Sequence, residues 1–376
     1  MTFRTLGISK FSFALLCSVI TLFAGCFVFL VFRNLHVTLR FAISYPDALR
    51  CVFLKGEERF LCQRKYVLDR SQSAGALSAQ EYIIFAEKEG VVGINECHYL
   101  GHALGGYLVK NGMTAEEVFM DFLPFCTSGY AHGAIYALLD EKADHGSGVD
   151  IQGIAAICLT KKDPASGGCL HGVGHAIVSL NEDNIFLALK ICDEIANTDQ
   201  HDRDNCYDGA FMQNVFDFYQ WTFKKDSPKD QYRKKDDPLF PCGIVEEKYR
   251  PRCYFMNAAI GTIASYKRGY ITDLTEIGNR VPDVYKHGFW YGIGRASNTI
   301  FRGDQVKVRS TCQSLPYPAK DYCFGGASAQ IMLVDGGSYT RAETFCRSLP
   351  QASSQNCLFI LKLEGYPQTI PSSMKE

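Results

Sequence analysis

Two histidines stand four residues apart in "CLHGVGHA", His171 and His175, with Gly172 and Gly174 among them and Cys169 ahead. A second pair, His98 and His102, lies in "ECHYLGHA". On a helix, residues i and i+4 share a face, so each pair can turn two imidazoles toward one ion, as in helices that bind zinc. Neither pair has the base glutamate of an HExxH helix, so hydrolysis of the metalloprotease kind does not follow from the spacing.

The pairs gain weight from repetition. Aligned on Cys126, Cys169, Cys206, Cys253 and Cys323, the chain reads "CTSGYAHG", "CLHGVGHA", "CYDGAFMQ", "CYFMNAAI" and "CFGGASAQ". Two segments fit without the cysteine, "ECHYLGHA" from Glu96 and "YKHGFWYG" from Tyr285. The third position of the frame holds His98, His171 and His287; the seventh holds His102, His132 and His175, with Met212, Ala259 and Ala329 there in other units. Stacked units would set these faces side by side. The expected metal set is therefore His98, His102, His132, His171 and His175, with His287 nearer the rim or in a separate pocket. Imidazole clusters suit a transition metal (Zn, Cu, Fe or Ni) and not Ca or Mg. Glu96, Glu182 and Asp208 are the carboxylates expected as a base or as hydrogen-bond acceptors behind the ligands. The bland alternative has each histidine hydrogen-bonding packed helices together, with repetition preserving that packing.

"HGFWYGIGR" gathers His287, Trp290, Tyr291 and Arg295. It is expected as a separate aromatic-walled pocket with a cation for a carboxylate or phosphate. His145 and His201 fall in polar loops and His36 beside the apolar N-terminal stretch, and these read as ordinary surface groups. No G-x-S-x-G elbow, P-loop, Rossmann glycine pattern, C-x-x-C or C-x-x-C-H is present. Serine hydrolase, nucleotide-binding, thiol-exchange and c-haem readings lose support accordingly.

The elements that must carry these residues are helical. Segments ahead of the cysteines, such as "NEDNIFLALKIC", "TRAETFC" and "MTAEEVFMDFLPFC", have apolar residues three and four apart, and so do the runs after them, such as "GYAHGAIYALLDEK". Thr114 and Glu117 have capping-box spacing. The unit is helix, short polar loop, helix. Its starts fall near 62, 96, 126, 169, 206, 253, 285, 323 and 357, with Cys62 and Cys357 opening degenerate end units. The intervals of roughly 30 to 47 residues are in the range of two-helix repeats. The fold expected is all-α: disulfide-stapled helix pairs forming an open solenoid or a closed α/α toroid. Breaks are expected at Lys225–Pro241 and Ile271–Asp283.

Cysteine usage places the chain. Of 16 cysteines, Cys17 and Cys26 lie in the apolar N-terminal stretch. Five of the remaining pairs share the spacing C-x10-C: Cys51/Cys62, Cys158/Cys169, Cys242/Cys253, Cys312/Cys323 and Cys346/Cys357. Cys192/Cys206 is a looser version, and Cys97 and Cys126 are left for each other, across one hairpin. Such local pairing points to disulfides and an oxidising compartment. No N-x-[ST] sequon follows the N-terminal stretch, which favours a bacterial periplasmic or cell-surface setting.

Phe11–Phe32 carries no charge and, at 1.5 Å per residue, is long enough to span a bilayer. The expected organisation is a tail over 1–10, a transmembrane signal-anchor over 11–32, a juxtamembrane stalk or helix over 33–50, and a Cys-rich extracytoplasmic helical domain over 51–376. The chain has 376 residues and a formal net charge of −1, with no basic surplus for nucleic acid. The partners expected are the membrane and, for a non-catalytic repeat scaffold, a protein or cell-envelope component. The metal-bearing alternatives are an enzyme of unspecified substrate or a protein of metal storage and delivery.

Overall fold

The computed structural model describes residues 35–120, 123, 126–144, 151–160, 165–195, 200–216, 232, 234, 237–301, 303–334 and 339–364. Every regular element among them is helical, with no strand. The Phe11–Phe32 stretch lies outside the described residues. Among those described, no helix is long and apolar enough to cross a membrane.

The chain divides into two compact units, Met1–Tyr66 and Val67–Glu376. In the first, residues 35–44 are helical, and Cys51 in the helix Leu49–Val52 stands at disulfide distance from Cys62 in α1 (Gly56–Ala74), 5.5 Å between Cα atoms.

In the second unit, helices alternate between short and long. The order is α2 (Ala76–Lys88), α3 (Ile94–Lys110), α4 (Ala115–Met120), α5 (Gly129–Asp144), α6 (Ile151–Leu159), α7 (Ala165–Leu180), α8 (Ile185–Ile195) and α9 (Gln200–Phe216). After a π-helical turn, Cys253–Ala258, come α10 (Ala259–Lys267), α11 (Leu274–Asn279), α12 (Asp283–Ile300), α13 (Gln305–Gln313), α14 (Ala319–Val334), α15 (Tyr339–Arg347) and α16 (Gln351–Glu364). Helix starts are set locally. Thr114 and Glu117 form the expected capping box: the Thr114 N–H donates to Glu117 Oε2 (2.8 Å) and the Glu117 N–H to Thr114 Oγ1 (3.3 Å). The α4 helix they open is described only to Met120, and Cys126 stands in a 3₁₀ turn, Cys126–Ser128, instead of ending a helix. Asp273 caps α11 inside the stretch expected as a break at Ile271–Asp283, and Asp304 caps α13.

All seven expected cysteine pairs stand at disulfide distance, with Cα–Cα separations of 5.4 to 5.8 Å. Cys158/Cys169 and Cys312/Cys323 each tie the end of a short helix to the opening turns of the next long one. Cross-linking so short a loop stabilises by roughly 3 kcal/mol, mainly by restricting the unfolded chain. Cys97/Cys126 differs: it joins the first turn of α3 to the turn that opens α5, so it links the heads of two long helices.

Cys357, expected to open a degenerate end unit, lies inside its helix, as Cys206 does in α9 and Cys169 in α7. It pairs with Cys346 as expected, but its helix, α16, begins at Gln351. The reason is Pro350: it cannot continue α15, and its carbonyl accepts from the Ser354 N–H (2.8 Å), which starts α16 well before the cysteine. Cys62 likewise lies inside α1, which begins at Gly56. The Cys357 sulfur also lies 3.6 Å from the carbonyl oxygen of Phe324. A free thiol would donate there. Paired with Cys346, the sulfur has no hydrogen to give, so the approach is packing of α16 on α14 and not a hydrogen bond. The 5.4 Å between the Cα atoms of Cys346 and Cys357 favours the disulfide over the thiol.

Each long helix packs on the next, with α3 on α5, α7 on α9 and α12 on α14 in closest register. Two glycines show how close. A Cβ at Gly133 would drive into the backbone carbonyl of His102, and one at Gly209 into that of His171. Their interior-helix cost of about 1 kcal/mol is offset by backbone-to-backbone packing that no other residue permits. Large buried side chains such as Leu100, Leu104, Ile135, Phe211, Phe289 and Phe324 fill the space behind these crossings. The α14 helix also reaches the Cys126–Ser128 turn, so helices far apart in sequence share one neighbourhood at their heads.

Candidate metal centre

The glycine crossings bring five imidazoles together. His98 and His102 project from the N-terminal half of α3, His132 from α5, and His171 and His175 from α7. Within the first pair, His102 Nε2 lies 3.0 Å from His98 Nε2; within the second, His175 Nε2 lies 3.2 Å from His171 Nε2. His132 stands between them. Its ring centroid is 5.2 and 5.5 Å from His98 and His102, and 5.4 and 5.0 Å from His171 and His175. One nitrogen each of His98, His102 and His132 falls within 4.8 Å of the other two.

His132 is only 3 % exposed, and neither of its ring nitrogens has a hydrogen-bond partner among the described residues. A buried polar atom left so costs roughly 1–3 kcal/mol. The other four rings belong to residues still partly open to solvent, which leaves a way in. Burial lowers the pKa of His98 and, more strongly, of His102, His132 and His171; the neighbouring histidines add to the lowering in the last three, and the guanidinium charges of Arg295 and Arg252 add to it at His171. The backbone carbonyl of Cys126 works in the opposite sense on His98. Rings held neutral are rings with a lone pair to offer.

Tautomers are set from outside the cluster. His98 Nδ1 donates to the carbonyl of Cys126 (2.9 Å), which leaves its Nε2 lone pair directed inward. His175 Nδ1 donates to Gln213 Oε1 (2.7 Å), with the same result at its Nε2. Orienting acceptors of this kind are what metal-binding histidines use to fix ring and tautomer. The Cys126 carbonyl is held by unusual backbone: Cys126 has φ +48° and Ser128 φ +60°, a left-handed conformation uncommon away from glycine.

Beside the cluster lies a cationic edge. The π-helical turn carries Phe255, whose ring has the Arg252 guanidinium 4.4 Å and the Arg295 guanidinium 5.3 Å from its centroid. Arg252 forms a bidentate pair with buried Asp208, Nε to Oδ1 at 2.8 Å and a second, shorter contact from Nη2 to Oδ2. Arg295 Nε donates to Gln330 Oε1 (3.0 Å), and no carboxylate among the described residues forms an ion pair with Arg295.

Two of the three expected carboxylates are engaged by other groups, and the third is exposed. Asp208 is engaged by Arg252; burial raises its pKa against the opposing pull of that guanidinium. Glu96 accepts from the Gly93 N–H (2.9 Å) and caps α3. Glu182 is exposed in the turn after α7, at φ +52°. The pocket expected from His287, Trp290, Tyr291 and Arg295 divides, because these side chains leave α12 in different directions. His287 lies 6.3 Å from the Tyr322 ring, Trp290 packs over Gly278 and against Phe289, and Tyr291 and Arg295 both border Phe255.

Three neighbours of the cluster escaped the sequence reading as site residues: Met212, Gln213 and Arg252. Met212 Sδ lies 3.3 Å from His171 Nε2. Its signal was present, since Met212 fills the frame position that holds His102, His132 and His175 elsewhere. Gln213 and Arg252 carried none.

The arrangement defines an all-helical, cysteine-paired protein with a buried multi-histidine centre. No family model, characterised protein or solved structure matches the chain.

Proposed function

We propose that this is an extracytoplasmic protein, tethered by its apolar N-terminal stretch, that holds a transition metal on the histidine cluster. The observation that carries the reading is His132: a buried imidazole with two unpartnered nitrogens, ringed by four more histidines. An ion bound there gives one of these nitrogens a partner. Two nitrogens bound to one ion at about 2.0–2.1 Å in tetrahedral geometry are about 3.3 Å apart. The 3.0 and 3.2 Å separations of the two pairs are close to that bite. A nitrogen of His132 lies within 4.8 Å of one nitrogen each of His98 and His102, so it has to draw in to reach the same Zn–N distance. The all-imidazole donor set fits Zn, Cu or Fe.

Neutral donors leave the ion's charge undiminished, and the Arg295 guanidinium adds to it. This supports a centre that draws and polarises an anionic ligand, as in a metal-dependent enzyme. The seven cysteine pairs support the oxidising compartment. The approach of α14 to the Cys126–Ser128 turn supports a closed helical array over an open one.

The test is elemental analysis of the full chain purified in detergent, with His171→Ala and His175→Ala beside it. Stoichiometric metal, lost in the variants while the helical circular-dichroism signal persists, is the expected result. Absence of metal in the native chain, even after incubation with Zn(II) and Cu(II), would sink the proposal and leave the partner-binding scaffold.

A further inference from the structure

The cluster has an internal symmetry that one ion does not use. On each side of His132 stands a pair of histidines from a single helix, four residues apart. In each pair one ring donates through Nδ1 to an acceptor outside the cluster, Cys126 O or Gln213 Oε1, and meets its partner through Nε2. In each, the two Nε2 atoms sit about as far apart as two ligands of one ion, 3.0 and 3.2 Å. The His132 ring is nearly equidistant from both pairs, and both its nitrogens are free of hydrogen bonds among the described residues. Met212 Sδ, 3.3 Å from His171 Nε2, adds a soft donor on one side only.

We infer that the centre is dinuclear: one ion on His98, His102 and His132, and a second on His171, His175 and Met212, with His132 bridging them through its two ring nitrogens. The inference rests on the metal reading above and extends it to a second site. A bridging ring must lose its remaining N–H. As the second ion binds, one nitrogen exchanges its proton for the metal and that proton passes to solvent. No electron transfer is involved. The two sites differ in chemistry. The three-imidazole site suits Zn(II) or Cu(II), whereas the thioether beside the second pair favours copper, above all Cu(I).

Burial and position explain why His132 fits the bridging role. It is the most buried of the five, on the helix between the two pair-bearing helices, and α5 touches both α3 and α7. A single ion bound by any three of the rings would leave at least one nitrogen of His132 still buried and unsatisfied.

The test titrates the metal-stripped full chain in detergent with Cu(II). Bound copper is counted by elemental analysis and its spin by electron paramagnetic resonance. Two copper ions per chain are expected, with a resonance well below that of two isolated Cu(II) ions, because an imidazolate bridge couples their spins. The second equivalent should release about one more proton than the first, read by calorimetry in buffers of different ionisation enthalpy. His132→Ala should restore the uncoupled signal of whatever copper remains. Should that variant fail to fold, Met212→Leu serves: it should keep the first equivalent and weaken the second tenfold or more. One copper per chain, or two with full uncoupled intensity, overturns the dinuclear centre and leaves the single-metal reading standing. No copper or zinc at all overturns both.

Discussion

Metal-free protein should be sharply less stable in mild acid. His102, His132 and His171 have folded pKa values well below the ordinary 6.5, chiefly through burial. Well above pH 6.5 they are neutral in both the folded and the unfolded chain, and their titration contributes nothing to stability. As the pH falls through 6.5, the unfolded chain takes up protons that the folded one refuses, so stability is lost with falling pH. One pH unit below 6.5, a ring that stays neutral favours the unfolded state by at most RT ln 11, on the order of 1 kcal/mol, and because the rings depress one another the three do not simply add. Typical domain stabilities are about 5–15 kcal/mol, so the combined effect is a measurable fraction. The assay is urea denaturation of the stripped chain at pH 7.5 and 5.5, with disulfides intact, followed by circular dichroism. The unfolding free energy should drop by about 1–4 kcal/mol, and His132→Leu should make the drop smaller. Equal stability at the two pH values would refute the reasoning, because it would mean that the rings accept protons in place.

Further outcomes follow from the surroundings of the cluster. Gly209→Ala should force α9 away from the His171 carbonyl, destabilise the fold by about 1–3 kcal/mol, and reduce metal content in proportion; unchanged metal content and stability would contradict the close crossing. Replacing Cys97 and Cys126 together by serine should free the turn that presents the Cys126 carbonyl to His98 and weaken Zn(II) binding by about 10–100-fold, measured by competition with a chromogenic chelator. Arg252→Ala should leave Asp208 buried without its partner and destabilise by about 3–5 kcal/mol at pH 7, an effect that Arg252→Ala with Asp208→Asn should largely reverse in denaturation experiments. Protease added to intact spheroplasts should digest the chain beyond residue 33, while a protected C-terminal part would refute the extracytoplasmic placement.

Much of this molecule was legible because its information is periodic. The C-x10-C spacing indicated which cysteines approach, since a short loop closing two helices leaves few other partners. The frame set by those cysteines placed histidines in two slots, and the five named from it do converge. The frame marks the second cysteine of each pair and not the helix start: α16 begins at Gln351, after Pro350, and α9 at Gln200, each ahead of its cysteine. What else stayed illegible was of another kind. Asp208 looked like a candidate base, yet Arg252, forty-four residues on, occupies it; ion pairs between helices leave no local pattern. His287, Trp290, Tyr291 and Arg295 are neighbours in sequence but leave α12 toward different helices, which only the packing decides. Ile271–Asp283 looked like a break because α11 is short, and its Asp273 cap was the one available signal. The Cys253 segment departs from the glycine pattern at Met256, and the chain answers with a π-helical turn that sets Phe255 under two guanidinium groups. Such turns are rare and frequent at functional sites, but nothing in the residue types announces one.

The packing role considered for the histidines makes its own demand on the structure. If the rings served only to bridge helices, each would end on a hydrogen-bond partner, because an orphaned buried nitrogen weakens the very packing it is meant to secure. His98 and His175 meet that demand through Cys126 and Gln213. His132, the most buried, does not. Leucine or phenylalanine in its place would fill the same space without the desolvation cost. Glycines at the crossings, left-handed backbone at Cys126 and Ser128, and an unsatisfied imidazole are each local concessions of stability, and all three lie within one small region. Each of these features also occurs elsewhere in the chain, as at Asp183, Asn298 and Gly294, but here they coincide around five converging imidazoles, and local rules broken together are expected at a site held for chemistry. A bound ion shifts the balance there: it gives His132 a partner, takes up the lone pairs that the outer hydrogen bonds have oriented, and binds only the folded form, so that at a hundredfold excess over Kd it adds about 2.7 kcal/mol to stability.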